Sequence, residues 1–271
     1  MVKVQDFRSR FGFHATPFTR EIAVQDRFSL SFFDQALEAV SRTLEARMSC
    51  ALIAPAGTGK TSLLRAVIAH LPEARYRTHY VKVTGLSKRD MCREIASSVG
   101  LPPAGTYPAL VRKLEQHFLE AADGAGLRPV LFLDEAHDLR PDVLSMMRIL
   151  TNFDMDSRLV LSVVLAGQPP LRDLLRRDEL EDVARRLAHY ATLRTLSREE
   201  VGRYVEHRCT VAGATSVPFD QAALDALFEI GRGNLRATDQ LARKALELVH
   251  EADRNVCEPS HLAQARKCLW P

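Results

Sequence analysis

The sequence predicts a three-layer α/β/α domain on a parallel five-stranded sheet, followed by a small all-α domain. Three observations predict it. Short apolar runs alternate with amphipathic helical stretches up to about residue 196. One apolar run empties into a Gly-rich loop that opens a helix. Beyond Ser197 only helical periodicity remains.

The elements follow in order. Residues 1–30 read as an irregular arm with aromatic anchors at Phe11, Phe13, Phe18 and Phe28. The first helix spans about Phe32 to Met48, because Phe33, Leu37, Val40, Leu44 and Met48 recur at three- and four-residue steps. Ala51 to Ala54 is a short, wholly apolar run, as expected of a buried parallel strand. Helix Lys60–His70, strand Tyr80–Thr84 and helices Lys88–Val99 and Tyr107–Ala122 continue the alternation. Val130–Leu133 is an apolar strand ending in two acids, and Pro141–Asn152 a helix with proline in its first turn. Leu159–Ala166 is the fourth strand and Ala191–Arg194 the fifth. Ser197 and Glu200 form a capping box that opens the helical tail. The expected organisation is an arm over 1–30, an α/β domain over 31–196 and a helical domain over 197–271.

Composition narrows the class. At 46% hydrophobic and 26% charged residues, the 271-residue chain has enough apolar material for a core. A net charge of +3 does not by itself argue for nucleic acid. The cysteines (Cys50, Cys92, Cys209, Cys257, Cys268) lack metal-ligand spacing and read as free thiols. The N-terminus has no apolar h-region, and no apolar run approaches the ~20 residues a bilayer span needs. A soluble cytoplasmic protein without membrane contact is expected.

Ala54 to Thr61 reads APAGTGKT, a P-loop with Ala in place of its leading Gly. Gly57 and Gly59 let the backbone wrap phosphates, with the N–H groups of Pro55-to-Ser62 neighbours Ala56, Gly57, Thr58, Gly59, Lys60, Thr61 and Ser62 turned inward. Lys60 reaches the β- and γ-phosphates of ATP, and the Thr61 hydroxyl ligates Mg²⁺. About 70 residues on, the strand Val130–Leu133 ends in Asp134 and Glu135, the second half of such a site. Asp134 holds Mg²⁺ through water, and Glu135 polarises the attacking water as general base. Asp134 to His137 also spells the DEAH signature of helicases. Those need a second RecA-like domain, which a helical tail does not provide, so His137 reads as a polar neighbour of the site.

These motifs, with the helical tail, resemble AAA+ ATPases, and in particular the ExeA-like proteins and the transposition ATPases TniB, TnsC and IstB. Phe11 to Phe18 resembles the FGL…PF opening of the ExeA-like group, and Leu165 to Pro169 its GQP segment. The resemblance implies a P-loop AAA+ fold with a lid. It implies that Gln168 is sensor 1, that Arg186 (with Arg185 the alternative) is an arginine finger acting on a neighbouring subunit, and that Arg236 is sensor 2. In that last motif Leu235 stands where proline is usual. A finger implies a homo-oligomeric ring or filament, hexamer-like in build.

Between Thr61 and Arg93 seven basic residues (Arg65, Arg75, Arg77, Lys82, Lys88, Arg89, Arg93) face two acids, Glu73 and Asp90. Such clusters bind phosphate backbones without sequence preference. Lys88 and Arg89 are the DNA-contact candidates, with Arg112 and Lys113 on the next helix after them. The expected function is an ATP-dependent, sequence-nonspecific DNA-binding regulator of transposition. It would oligomerise on duplex DNA, mark target sites, recruit or activate a DDE-type transposase and disassemble on hydrolysis. An ExeA-like secretion ATPase is the first alternative. It is disfavoured by the expectation that no membrane segment or peptidoglycan-binding domain follows before Pro271. A replication-initiator or helicase-loader ATPase is the second, for which a winged-helix domain after the lid is expected.

Overall fold

The computed structural model describes residues 7–270. In chain order its first elements are α1 (Phe7–Phe11), α2 (Ser31–Glu45), β1 (Ser49–Ile53), α3 (Lys60–His70) and β2 (Tyr76–Lys82). Then come α4 (Lys88–Ser98), α5 (Tyr107–Asp123), β3 (Arg128–Asp134), α6 (Pro141–Leu150) and β4 (Ser162–Gly167). The α/β part closes with α7 (Pro170–Leu175), α8 (Glu181–Ala184) and β5 (Leu187–Thr192). Four helices end the chain: α9 (Arg198–Val211), α10 (Gln221–Gly231), α11 (Leu235–Glu251) and α12 (Pro259–Leu269).

Ser31–Leu193 form one compact unit. Its five strands are all parallel, in the order β2-β3-β4-β1-β5. The three central strands are buried along nearly their whole length, which is why they read as continuous apolar runs. Helices α4, α5 and α6 cover one face, where Met91, Ile95, Leu114, Phe118 and Leu144 pack on Leu131, Leu133 and Leu165. On the other side of the sheet, α2 and α3 bury Val40, Leu44, Leu63, Leu64 and Val67. With β4 lying between β1 and β3, the loop leaving β1 and the acids ending β3 emerge at the same carboxyl edge. That edge is where open α/β sheets bind ligands.

The edge strands depart from the sequence reading. β2 lies at Tyr76–Lys82, earlier than the apolar cluster at 80–84, because Arg77, Thr78 and His79 pair with β3 through backbone alone. β5 begins at Leu187 rather than Ala191. Only Leu187 and Ala191 are buried along it, so its pattern is alternating rather than continuous.

The described residues up to Leu30 join those from Arg194 onward in a second unit. The arm is thus a component of the helical unit. Phe13 and Phe18 are buried, and the Phe18 ring meets Phe219 edge-on at 6.2 Å. The Arg208 guanidinium donates to the Thr19 carbonyl at 2.6 Å, and the His207 ring lies 2.7 Å from the Asp26 carbonyl. The His14 and Ala15 amides donate to the Ala212 carbonyl. Gly213 (φ +100°) makes this possible, since a Cβ there would stand 2.2 Å from the His14 ring. The capping box of Ser197 and Glu200 opens α9 as expected. Among the described residues no helix is long and apolar enough to cross a membrane.

Candidate functional site

The P-loop bridges β1 and α3. Gly57 (φ +73°) and Gly59 (φ +98°) are left-handed, a conformation that costs other residues about 1–2 kcal/mol. Ala54 stays out of that region, so the missing Gly at the loop head carries no strain. Its amide donates to the Gly167 carbonyl at 3.0 Å, pinning the loop head to the end of β4. Thr58 is buried, and its hydroxyl closes the loop on the Pro55 carbonyl at 2.8 Å. Lys60 begins α3 and is buried, with Nζ 3.3 Å from the Ala54 carbonyl and 3.4 Å from that of Pro55. Its ammonium is therefore held inside the loop. Pro55, Ala56, Thr61 and Ser62 are exposed around it. A loop turned by two left-handed glycines, a helix N-terminus and a buried ammonium suit a polyphosphate.

Asp134 brings the β3 end to this loop. It is 2% exposed, and its carboxylate is fully engaged. Oδ2 accepts from Thr61 Oγ1 at 3.0 Å and from the Tyr80 hydroxyl at 2.9 Å, while Oδ1 accepts from the Glu135 amide at 2.9 Å. Thr61 and Asp134, 73 residues apart in sequence, thus meet where a hard divalent cation would be held by oxygen donors. The Tyr80 hydroxyl is pushed far above its ordinary range, by burial first and then by the Asp134 charge. It remains a donor at any working pH.

Glu135 follows at φ +59°, an unusual backbone for a charged residue. Its Oε2 is buried and has no hydrogen-bond partner among the described residues. His137 Nδ1 lies 3.5 Å from that oxygen. On its other side the His137 ring meets Gln168, which follows β4: Nε2 is 2.8 Å from the side-chain amide nitrogen, and the Gln168 main-chain amide is 3.4 Å from Nδ1. Gly167 permits the approach, because a Cβ there would lie 3.1 Å from the His137 amide. Lys60, Thr61, Asp134, Glu135 and Gln168 therefore share one edge of the sheet.

Each of the remaining candidates has its own surroundings. Arg186, 28% exposed at the side chain, forms a two-pronged pair with Asp156 at 2.6 and 2.8 Å, which holds the Asp156 carboxyl below its ordinary range. Asp156 closes a run of three left-handed residues, Asp154 to Asp156. Arg185 pairs instead with Glu181 at 2.6 Å. Arg236, in the helical unit, is exposed in the first turn of α11, capped by Asn234. A cation there opposes the helix dipole, which favours an anionic partner over a helix-stabilising role. Gly233, three residues before it, is costly to replace, since a Cβ would stand 2.0 Å from the Leu196 carbonyl oxygen.

Two of the four DNA-contact candidates converge. Arg89 Nε donates to the Gly105 carbonyl at 3.1 Å and Lys113 Nζ to that of Ala104 at 3.3 Å. Lys88 reaches Asp142 at 4.0 Å. Arg112 lines a groove with Glu115, Glu120 and Asp123, an acidic setting that weakens its candidacy. Sequence reasoning missed Tyr80, Asp156 and the bridging place of His137. The first two lie 54 and 30 residues from their partners, and no local pattern pairs them.

Residues 42–175 match the family described as AAA domain. The chain carries an AAA domain and is an ATPase. That domain spans the P-loop, both acids and Gln168. The chain is 35% identical over 193 residues to General secretion pathway protein A of Aeromonas hydrophila, a match that takes in 70% of this chain. It spans 35% of that relative's length. Among solved structures, Cdc6p of Pyrobaculum aerophilum aligns over 93% of this chain and 70% of its own, at 17% identity and a TM-score of 0.76. The Aeropyrum pernix ORC1 protein in complex with DNA aligns over 93% and 68%, at 16% identity and 0.68. The Thermotoga maritima RuvB Holliday junction branch migration motor aligns over 88% and 67%, at 19% identity and 0.59. At these identities the likeness establishes the AAA+ fold.

Proposed function

We propose that this ATPase is an assembly switch on duplex DNA that regulates transposition in the cytoplasm. The observation that carries the DNA reading is the convergence of Arg89 and Lys113 on the turn at Ala104–Gly105, with Lys88 one residue from Arg89 on α4. The hydrogen bonds of Arg89 and Lys113 are to carbonyls, which carry no opposing charge, while Lys88 lies 4.0 Å from Asp142. Phosphate backbones bind such patches without reading sequence.

In this reading the loop amides from Ala56 to Ser62 and Lys60 hold the phosphates of ATP. Thr61 and Asp134 hold Mg²⁺, which supplies charge neutralisation at the transferred phosphoryl group. Glu135 takes the proton of the attacking water and Gln168 orients it. Arg236 contacts the γ-phosphate from the lid. Arg186 completes the site of a neighbouring copy in a homo-oligomeric ring or filament, and the assembly recruits a DDE-type transposase. Hydrolysis takes it apart.

Sedimentation of the protein with duplex DNA tests this. ATP should produce DNA-bound oligomers that Glu135→Gln stabilises, and their absence in both proteins refutes it. One observation favours a second reading, an ATPase of secretion or envelope assembly: the 35% identity to a secretion-pathway protein. Under that reading ATP drives assembly without DNA.

A further inference from the structure

We propose that His137 is a positioning residue that ties the general base to the end of β4, so that the orientation of the Glu135 carboxylate depends on Gln168. The proposal rests on the reading of Glu135 as the base.

Three observations converge on the imidazole. Glu135 Oε2 is buried and lacks a hydrogen-bond partner among the described residues, a costly state for a carboxylate oxygen. His137, 12% exposed at its side chain, places Nδ1 3.5 Å from it. The Gln168 side-chain nitrogen lies 2.8 Å from His137 Nε2. A side-chain amide nitrogen only donates, so Nε2 must accept, and the single proton of the neutral ring then sits on Nδ1. Glu135 Oε2, 3.5 Å from Nδ1, is the acceptor within reach of that proton. The Gln168 main-chain amide also donates to Nδ1, at 3.4 Å, a long bond that this tautomer gives up when Nδ1–H turns to Oε2. Asp138 Oδ1, 3.7 Å from Nε2, lies beyond hydrogen-bond range.

In that tautomer the chain Gln168–His137–Glu135 runs from the end of β4 to the end of β3. The approach from 3.5 Å to a full hydrogen bond is the tightening expected when substrate fills a catalytic site. Holding Oε2 leaves Oε1 to face the water. The backbone supports the same purpose: Glu135 is left-handed, and without a side-chain tether its carboxylate has no fixed direction.

The test compares His137→Ala, His137→Asn and Glu135→Gln by steady-state ATP hydrolysis, with Kd for a fluorescent ATP analogue and a thermal melt measured on each. An asparagine amide nitrogen falls close to the position of Nδ1. His137→Ala is expected to lower kcat about tenfold or more with Kd unchanged, as a misplaced base does. His137→Asn should recover most of that loss. If His137→Ala hydrolyses ATP within about twofold of wild type while Glu135→Gln is inactive, the coupling is wrong and the base reading stands. Equal loss in His137→Ala and His137→Asn assigns His137 to packing and also overturns the coupling. Wild-type turnover by Glu135→Gln removes the base reading and the coupling together.

Discussion

Tyr80→Phe deletes one hydroxyl and keeps the ring. Asp134 Oδ2 then retains one of its two donors, Thr61 Oγ1. That hydroxyl is also the proposed Mg²⁺ ligand; it can face the cation through a lone pair while its proton stays on Oδ2, so Tyr80 supplies the second of the two side-chain donors that aim the carboxylate. A hydrogen bond to a charged group is worth about 1.5–3 kcal/mol. Tyr80 is 42% exposed, so water replaces part of it and the lower end applies. About 1.4 kcal/mol is tenfold in affinity, in line with the roughly 10–100-fold cost of removing a partner that orients a metal ligand. The half-saturating Mg²⁺ concentration for hydrolysis should therefore rise about tenfold, with the melting temperature moving little. The tyrosine stays protonated well above its ordinary range, so the gap between the two proteins should be constant from about pH 6 to pH 9. Magnesium titration of hydrolysis at saturating ATP, repeated at both pH limits, measures it. An unchanged magnesium dependence in a well-folded Tyr80→Phe protein refutes the claim that this hydroxyl orients Asp134 for the cation.

Gly233→Ala puts a Cβ about 2 Å from a backbone oxygen at φ +68°; urea denaturation should show a loss of about 3 kcal/mol, and a loss under about 1 kcal/mol would contradict the geometry. Burial pushes the Asp239 carboxyl up to about 6 despite the opposing Arg208 charge at 3.4 Å. The folded protein therefore binds the extra proton between about pH 4 and 6, and stability attributable to this group is lost as pH rises through that window. Asp239→Asn should flatten the melting temperature against pH there, and an unaltered profile would remove Asp239 as the source. Reversing Arg89 and Lys113 to Glu together should lower the slope of log affinity for duplex DNA against log salt by about 2, with ATP binding kept; an unchanged slope would move the DNA surface elsewhere.

The central sheet was legible because burial on both faces leaves continuous apolar runs, as at Leu131–Leu133. The P-loop and Asp134–Glu135 were legible because phosphate and metal chemistry constrain residue types at fixed spacing. Edge strands were harder to place. β2 holds Arg77, Thr78 and His79 in register with Pro129, Val130 and Leu131 through main-chain bonds that no side chain announces. The arm's attachment was invisible for another reason. It depends on Arg208 reaching a carbonyl 189 residues away and on the absent side chain of Gly213. Tyr80 escaped notice because a strand tyrosine ordinarily reads as packing. His137 was seen but not its role, which needs Gln168 and Glu135 on either side of one ring.

If Arg186 is the proposed arginine finger, the nucleotide site of one chain is completed by the next. The Arg186 guanidinium is held by both oxygens of Asp156 at a partly exposed position. Exposed pairs are worth about 0–1 kcal/mol, so the pair fixes a direction at little energetic depth. A nucleotide polyphosphate offers the same two-pronged acceptor geometry with more charge. Under the proposed arginine-finger role, Arg186 would exchange Asp156 for the phosphate of a neighbouring copy. Such an arrangement favours activation by assembly over activation within a single chain. On the proposed reading it also separates two requirements: water activation would be built from β3 and β4 of one chain, and the last positive charge would come from the next.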